Sequence, residues 1–170
     1  PVLDGKGGLR FDHSAKELDK LTEDFITHAR NVRDEILNIE SPKVARTFKN
    51  TMLPFAQMES DSTTFNMVLS FYGSVSSDKE LRDASEAISK KFEDWNTELY
   101  SSKKLYESIH AMKEDMRLTG TWQELSHEDR RLVNKVLIDF VHNGILLDQD
   151  AQERAVKLDT EIGDLARVAN

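Results

Sequence analysis

His127-Glu128-Asp129-Arg130-Arg131 comes nearest to metal chemistry in this chain. In H-E-x-x-H, two histidines one helical turn apart grip an ion and the glutamate activates water. Here Arg131 stands at the second ligand position, and its cation would repel a metal ion. Glu128 and Asp129 instead suit the start of a helix, where the dipole favours negative charge. A subtler pattern pairs Glu107-x-x-His110 with Asp139-x-x-His142. Helical bundles build dinuclear sites from two Glu-x-x-His pairs and two further carboxylates. At about 100° per residue, Glu107 points nearly opposite the apolar face of Leu105, Ile109, Met112 and Met116. His142 lies about 160° from the centre of the Leu132–Phe140 face by the same count. Both histidines are expected on the surface. His28, one turn after Asp24, reads as a structural pair. Gly5, Gly7 and Gly8 around Lys6 lack the preceding strand and the G-K-[ST] ending of a phosphate loop. Residues 1–10 read as a flexible arm. There is no cysteine, which removes thiol catalysis, disulfides and cysteine-ligated zinc. No catalytic, cofactor-binding or metal-binding residue is assigned in this chain.

The elements that would position these residues are helical throughout. Ser14-x-x-Glu17 forms a capping box, and Leu18, Leu21, Phe25, Ala29, Val32 and Ile36 recur every three or four residues, predicting a first helix to about Leu37. Ser41-Pro42 predicts a second start, with Pro at the first helical position. Its stripe of Val44, Phe48, Met52, Phe55 and Met58 is interrupted at Pro54, where a kink or break is expected. Asp61-Ser62-Thr63-Thr64 predicts a third helix that closes at Gly73. Ser77 and Glu80 form a capping box for a fourth, with Asp78 adding favourable charge. That pattern runs from Asp78 to Met116, about 39 residues or about 58 Å if straight. Ser101-Ser102 is the place for a bend, and Gly120 ends the run. Ser126-x-x-Asp129 caps a fifth helix ending at Gly144, a left-handed C-cap position. Asp148 caps a sixth, whose stripe of Leu158, Ile162 and Leu165 is still periodic near the terminus. Trp95 is expected to be buried on the fourth helix and Trp122 more exposed in the following loop. The fold class is all-α: a bundle of about six helices with one long central helix, forming one domain over residues 11–170.

The bulk balance narrows the partners. A net charge of −8 and the absence of a basic stripe argue against nucleic acid. No run of 18 apolar residues suits a membrane span, and no polybasic patch suits a membrane surface.

Thr47-Phe48-Lys49-Asn50-Thr51-Met52-Leu53-Pro54 and Asp78-Lys79-Glu80-Leu81-Arg82-Asp83-Ala84-Ser85 carry a resemblance. With Arg130-Arg131-Leu132-Val133 and Phe140-Val141-His142-Asn143-Gly144-Ile145-Leu146-Leu147, they resemble the N-terminal region of the thimet oligopeptidase family of zinc metallopeptidases. The resemblance spans about residues 11–165. It implies an all-helical domain forming one wall of a channel that admits short, unfolded peptides. It also implies a cytoplasmic or mitochondrial home. Zinc would belong to the full-length enzyme, on an H-E-x-x-H motif in a C-terminal catalytic half that this chain lacks. The expected partners are short peptides and that missing half; the chain alone is expected to be inactive. The unended last helix suggests a chain cut from something longer, with an uncovered apolar face that could drive self-association. The alternative is a free-standing helical protein-interaction module.

Overall fold

Serine and aspartate side chains set where five of the six described α-helices begin. The computed structural model describes residues 9–39 and 44–168. Among them are six α-helices and no strand: α1 (Ala15–Leu37), α2 (Leu53–Val75), α3 (Lys79–Tyr100), α4 (Lys103–Leu118), α5 (His127–His142) and α6 (Gln149–Val168). A π-helical turn, Phe48–Met52, precedes α2, and a 3-10 turn, Thr121–Glu124, separates α4 from α5. Among the described residues, no helix is long and apolar enough to cross a membrane. The chain packs as two compact units, Pro1–Asn96 and Thr97–Asn170.

In the first unit, α1 opens with the expected box. Ser14 N–H donates to Glu17 Oε2 at 2.8 Å, and Glu17 N–H donates to Ser14 Oγ at 3.3 Å. At the other end of α1, Arg46 does what no residue of the helix does. Its guanidinium donates to the carbonyls of Ile36 (2.7 Å) and Ile39 (3.1 Å), binding oxygens that the helix cannot satisfy itself. The second start expected at Ser41-Pro42 lies outside the described residues. The interruption expected at Pro54 takes the form of the π-helical turn. Leu53 N–H reaches back five residues to Phe48 O, and Pro54 falls in the first turn of α2, where its missing N–H costs least.

The separate third helix is not formed: α2 runs unbroken from Leu53 to Val75. The hydroxyls expected to start it point backwards, Thr63 to Glu59 O and Thr64 to Ser60 O, both at 3.1 Å. A hydroxyl that bonds to the carbonyl four residues earlier lets a helix continue. Phe25 of α1 ties the three helices together, with ring centroids 4.7 Å from Phe65 of α2 and 5.6 Å from Phe92 of α3. Leu18, Ala29, Phe55, Val68 and Leu69 of α1 and α2 are fully buried. Replacing Phe55 with alanine would cost about 3–5 kcal/mol. Trp95 is buried as expected, with the guanidinium groups of Arg30 and Arg33 over its ring at 5.9 and 5.8 Å. Lys91 of α3 bonds Asp19 (2.8 Å) and Glu23 (2.5 Å) of α1, and those two bonds hold its ammonium above the usual lysine range.

The single long central helix is two. α3 ends at Tyr100 and α4 begins at Lys103. Ser102 leaves helical geometry with ψ 95° and accepts from Leu105 N–H, so it is the N-cap of a new helix. The expected bend is therefore a complete stop. In the second unit, Leu105, Ile109 and Met112 of α4 are fully buried, as are Val133 and Phe140 of α5. Phe140 meets Tyr100 at 4.8 Å and Tyr106 at 5.9 Å. Ser126 caps α5 as expected, accepting from Asp129 N–H at 3.0 Å. Asp148 likewise caps α6, accepting from Ala151 N–H at 2.8 Å. Gly120 and Gly144 both hold positive φ, at 82° and 81°. At Gly144 this closes α5 with two reversed bonds, Gly144 N–H to Val141 O and Ile145 N–H to Phe140 O, with Ile145 buried beside them.

Candidate functional site

The first turn of α5 brings the nearest approach to a metal motif into view. The His127 side chain is 81% exposed, and its Nδ1 lies 3.5 Å from Glu128 Oε1. Arg131 Nη1 lies 3.7 Å from Glu128 Oε2. The glutamate that would activate water is thus engaged by a guanidinium at the would-be ligand position. This donor set does not fit a zinc ion. No group of three histidine or acidic side chains among the described residues is arranged to hold a metal.

The second constellation is dispersed. Glu107 and His110 are exposed on α4, and the His110 ring packs 5.8 Å from Tyr106. Asp139 is ion-paired with Lys135 one turn earlier. His142 is exposed and lines a cleft of about 260 Å³ with Thr97, Ser101, Asn143, Gly144 and Val156. His28 and Asp24 are both exposed on α1. The segment around Gly5, Gly7 and Gly8 lies outside the described residues.

One buried polar pair carries no signal in the sequence. His13, 4% exposed, sits just before the α1 cap, with its Nδ1 2.8 Å from Tyr72 Oη. His13 N–H also donates to that oxygen at 3.1 Å. The Tyr72 hydroxyl thus accepts from the His13 backbone and shares a second hydrogen bond with the ring of the same residue. The pair clips the chain entering α1 onto α2. The two residues stand 59 apart in the chain, so only the fold could join them.

The segments that carry the family resemblance are structural in this chain. Thr47 and Asn50 exchange bonds: Thr47 N–H to Asn50 Oδ1 at 2.7 Å, Asn50 N–H to Thr47 Oγ1 at 3.2 Å. Thr51 and Met52 after them are fully buried. In the second segment the cap is not the Ser77–Glu80 box. Asp78 Oδ1 accepts from Glu80 N–H at 2.9 Å, and Asp78 O accepts from Arg82 N–H at 3.2 Å, so Asp78 is the N-cap. Ser76 Oγ supports it by accepting from Asp78 N–H at 3.1 Å. Arg82 reaches back to Ser76 O at 2.9 Å, and Lys79 pairs with Asp83. Ser85 Oγ donates to Leu69 O at 2.8 Å and accepts from Gly73 N–H at 2.9 Å. Those two groups are the natural i, i−4 partners within α2. Asp78, Arg82 and Ser85 therefore fix the corner between α2 and α3.

A further groove, of about 500 Å³, runs along α5 beside the 3-10 turn. Trp122, Arg130, Arg131 and Lys135 are among its lining residues. Large apolar side chains are also exposed on α6: Leu158, Ile162 and Leu165 at 58, 63 and 70%.

Comparison with known proteins places this fold. The chain is 29% identical over 163 residues to oligopeptidase PhomG' of Diaporthe leptostromiformis, covering 94% of this chain and 13% of that protein. It is 29% identical over 128 residues to saccharolysin of Saccharomyces cerevisiae, covering 75% and 17%. It is 25% identical over 158 residues to a thimet-like oligopeptidase of Dictyostelium discoideum, covering 92% and 23%. The chain thus spans less than a quarter of the length of these relatives. Residues 26–152 match the family model of the neurolysin/thimet oligopeptidase N-terminal domain. That match takes in the larger part of both units and the corner residues Asp78, Arg82 and Ser85, and the chain belongs to the neurolysin/thimet oligopeptidase family as its N-terminal domain.

Proposed function

We propose that this chain is the non-catalytic channel-wall part of a zinc metallo-oligopeptidase that hydrolyses short peptides in the cytoplasm, with mitochondria as the alternative compartment. The observation that carries the reading is the family match over residues 26–152 in a chain spanning 13–23% of relatives named as oligopeptidases. Its contribution is steric. Close-packed helices with locked corners make a stiff surface, and a stiff wall excludes folded substrates by shape alone. The zinc and its ligands belong to the longer protein, because the donor set at His127 does not fit the ion. Substrate peptides and the catalytic half are the partners.

The test compares the 170-residue chain with the product of its extended reading frame. Quenched fluorescent peptides and metal analysis are applied to both. The extended protein is expected to hold zinc stoichiometrically and to cleave short peptides, and the chain alone to do neither. Zinc on the chain alone that is lost in His127→Ala would overturn the reading. An extended frame without an H-E-x-x-H motif would instead favour the interaction module.

A further inference from the structure

Positive charge gathers on one face of α5, although the chain as a whole is acidic. His127, Arg130, Arg131, Lys135 and Ile138 line the groove beside Trp122, together with Asn134. Their spacing keeps them on one helical face. No carboxylate is among the lining residues. The Lys113 ammonium adds further charge, 5.8 Å from the Trp122 ring centre. Two of these cations have neighbours on their own helix: Arg131 lies 3.7 Å from Glu128, and Lys135 is paired with Asp139. The Arg131–Glu128 pair is exposed on both sides, and such pairs contribute little and exchange readily.

We propose that this groove binds a short acidic polypeptide segment. Its carboxylates would sit on the Arg130 and Arg131 guanidinium groups, whose planar forks suit bidentate pairing. An apolar side chain next to them would lie between Trp122 and Ile138. About 500 Å³ falls in the range of small-ligand sites, so the groove takes a few residues and not a domain. Charge complementarity selects the occupant. A nucleic acid would extend past the groove over a chain of net charge −8, where its phosphates are repelled. A free phosphate would leave Trp122 and Ile138 without a role. The proposal does not depend on the peptidase reading.

The probe is an acetylated, amidated hexapeptide of alternating glutamate and leucine, titrated into the 170-residue chain by calorimetry. The same peptide with glutamine for glutamate is the control, and hexathymidylate represents nucleic acid. The glutamate peptide is expected to bind about tenfold more tightly than the glutamine peptide, and to weaken as salt is raised. Backbone amide shifts should concentrate in residues 121–138. The double variant Arg130→Gln, Arg131→Gln should lose about tenfold for the glutamate peptide and nothing for the glutamine peptide. The peptide comparison uses the unaltered chain, so it stands whether or not the variant folds. Equal binding of the two peptides, no heat at millimolar glutamate peptide, or preferred binding of hexathymidylate would each overturn the proposal.

Discussion

At the scale of single residues, the helix caps are the most testable feature. Asp78 holds the start of α3 through Glu80 N–H, while Ser77 has no part in that cap. Asp78→Ala should therefore destabilise the chain by about 1 kcal/mol, and Ser77→Ala should change the urea midpoint hardly at all. A larger loss from Ser77→Ala would restore the box read from the sequence. Glu17 gives a pH test. The Ser14 backbone N–H, then its hydroxyl, hold the Glu17 carboxyl below the usual glutamate range. A carboxyl with a depressed folded-state value stabilises above its unfolded-state value, and that contribution disappears as pH falls through the folded one. Native chain and Glu17→Gln should thus differ in midpoint at neutral pH and converge in acid. A gap that widened on acidification would contradict the geometry. Ser14, Ser126 and Asp148 were legible as caps because each stands alone before a clear apolar stripe. At Ser76-Ser77-Asp78 three capping residues are consecutive, and spacing cannot choose among them.

At the scale of elements, the contact of Ser85 with α2 decides how tightly two helices approach. A Cβ at Gly73 would lie 3.2 Å from Ser85 Oγ, so the hydroxyl would have to give way by a few tenths of an ångström. Gly73→Ala is expected to destabilise the native chain. In a Ser85→Ala background the same change should stabilise, by up to about 1 kcal/mol, because alanine is the better helix former and the obstacle is gone. A double-mutant cycle by denaturant unfolding measures this sign reversal. Purely additive effects would show that the contact carries no coupling. Gly73 read as a helix end from sequence because glycine usually marks one; its role here is close approach. The unity of α2 was hidden for a similar reason, since Thr63 and Thr64 serve equally as starters or as back-bonded interior residues. The stop at Ser102 was half legible: a serine pair flags a weak point, but the apolar stripe continues across it and gives no sign of a complete break.

At the scale of the whole molecule, each unit has its own buried core, Phe55 and Leu69 in one and Ile109 and Phe140 in the other. Compact units that each bury apolar side chains need not unfold together. Guanidinium denaturation followed by circular dichroism is expected to show two transitions, and Phe140→Ala should lower only the one belonging to residues 97–170. One transition that shifts as a whole would mean the units are obligately cooperative. The all-helical class was legible because apolar spacing of three to four residues persists throughout. The groove on α5 was not, because Trp122 and the α5 cations meet only when the 3-10 turn folds back. The tryptophans give these units a practical consequence. Each unit holds one: Trp95 is 2% exposed in the first, and Trp122 is half-buried in the second. The chain therefore carries a built-in optical reporter for each half. Emission from Trp95 should be blue and shift strongly on unfolding, while Trp122 begins nearer the colour of water-exposed indole. The order in which the halves come apart can thus be read from the wavelength of the light, without attaching a dye.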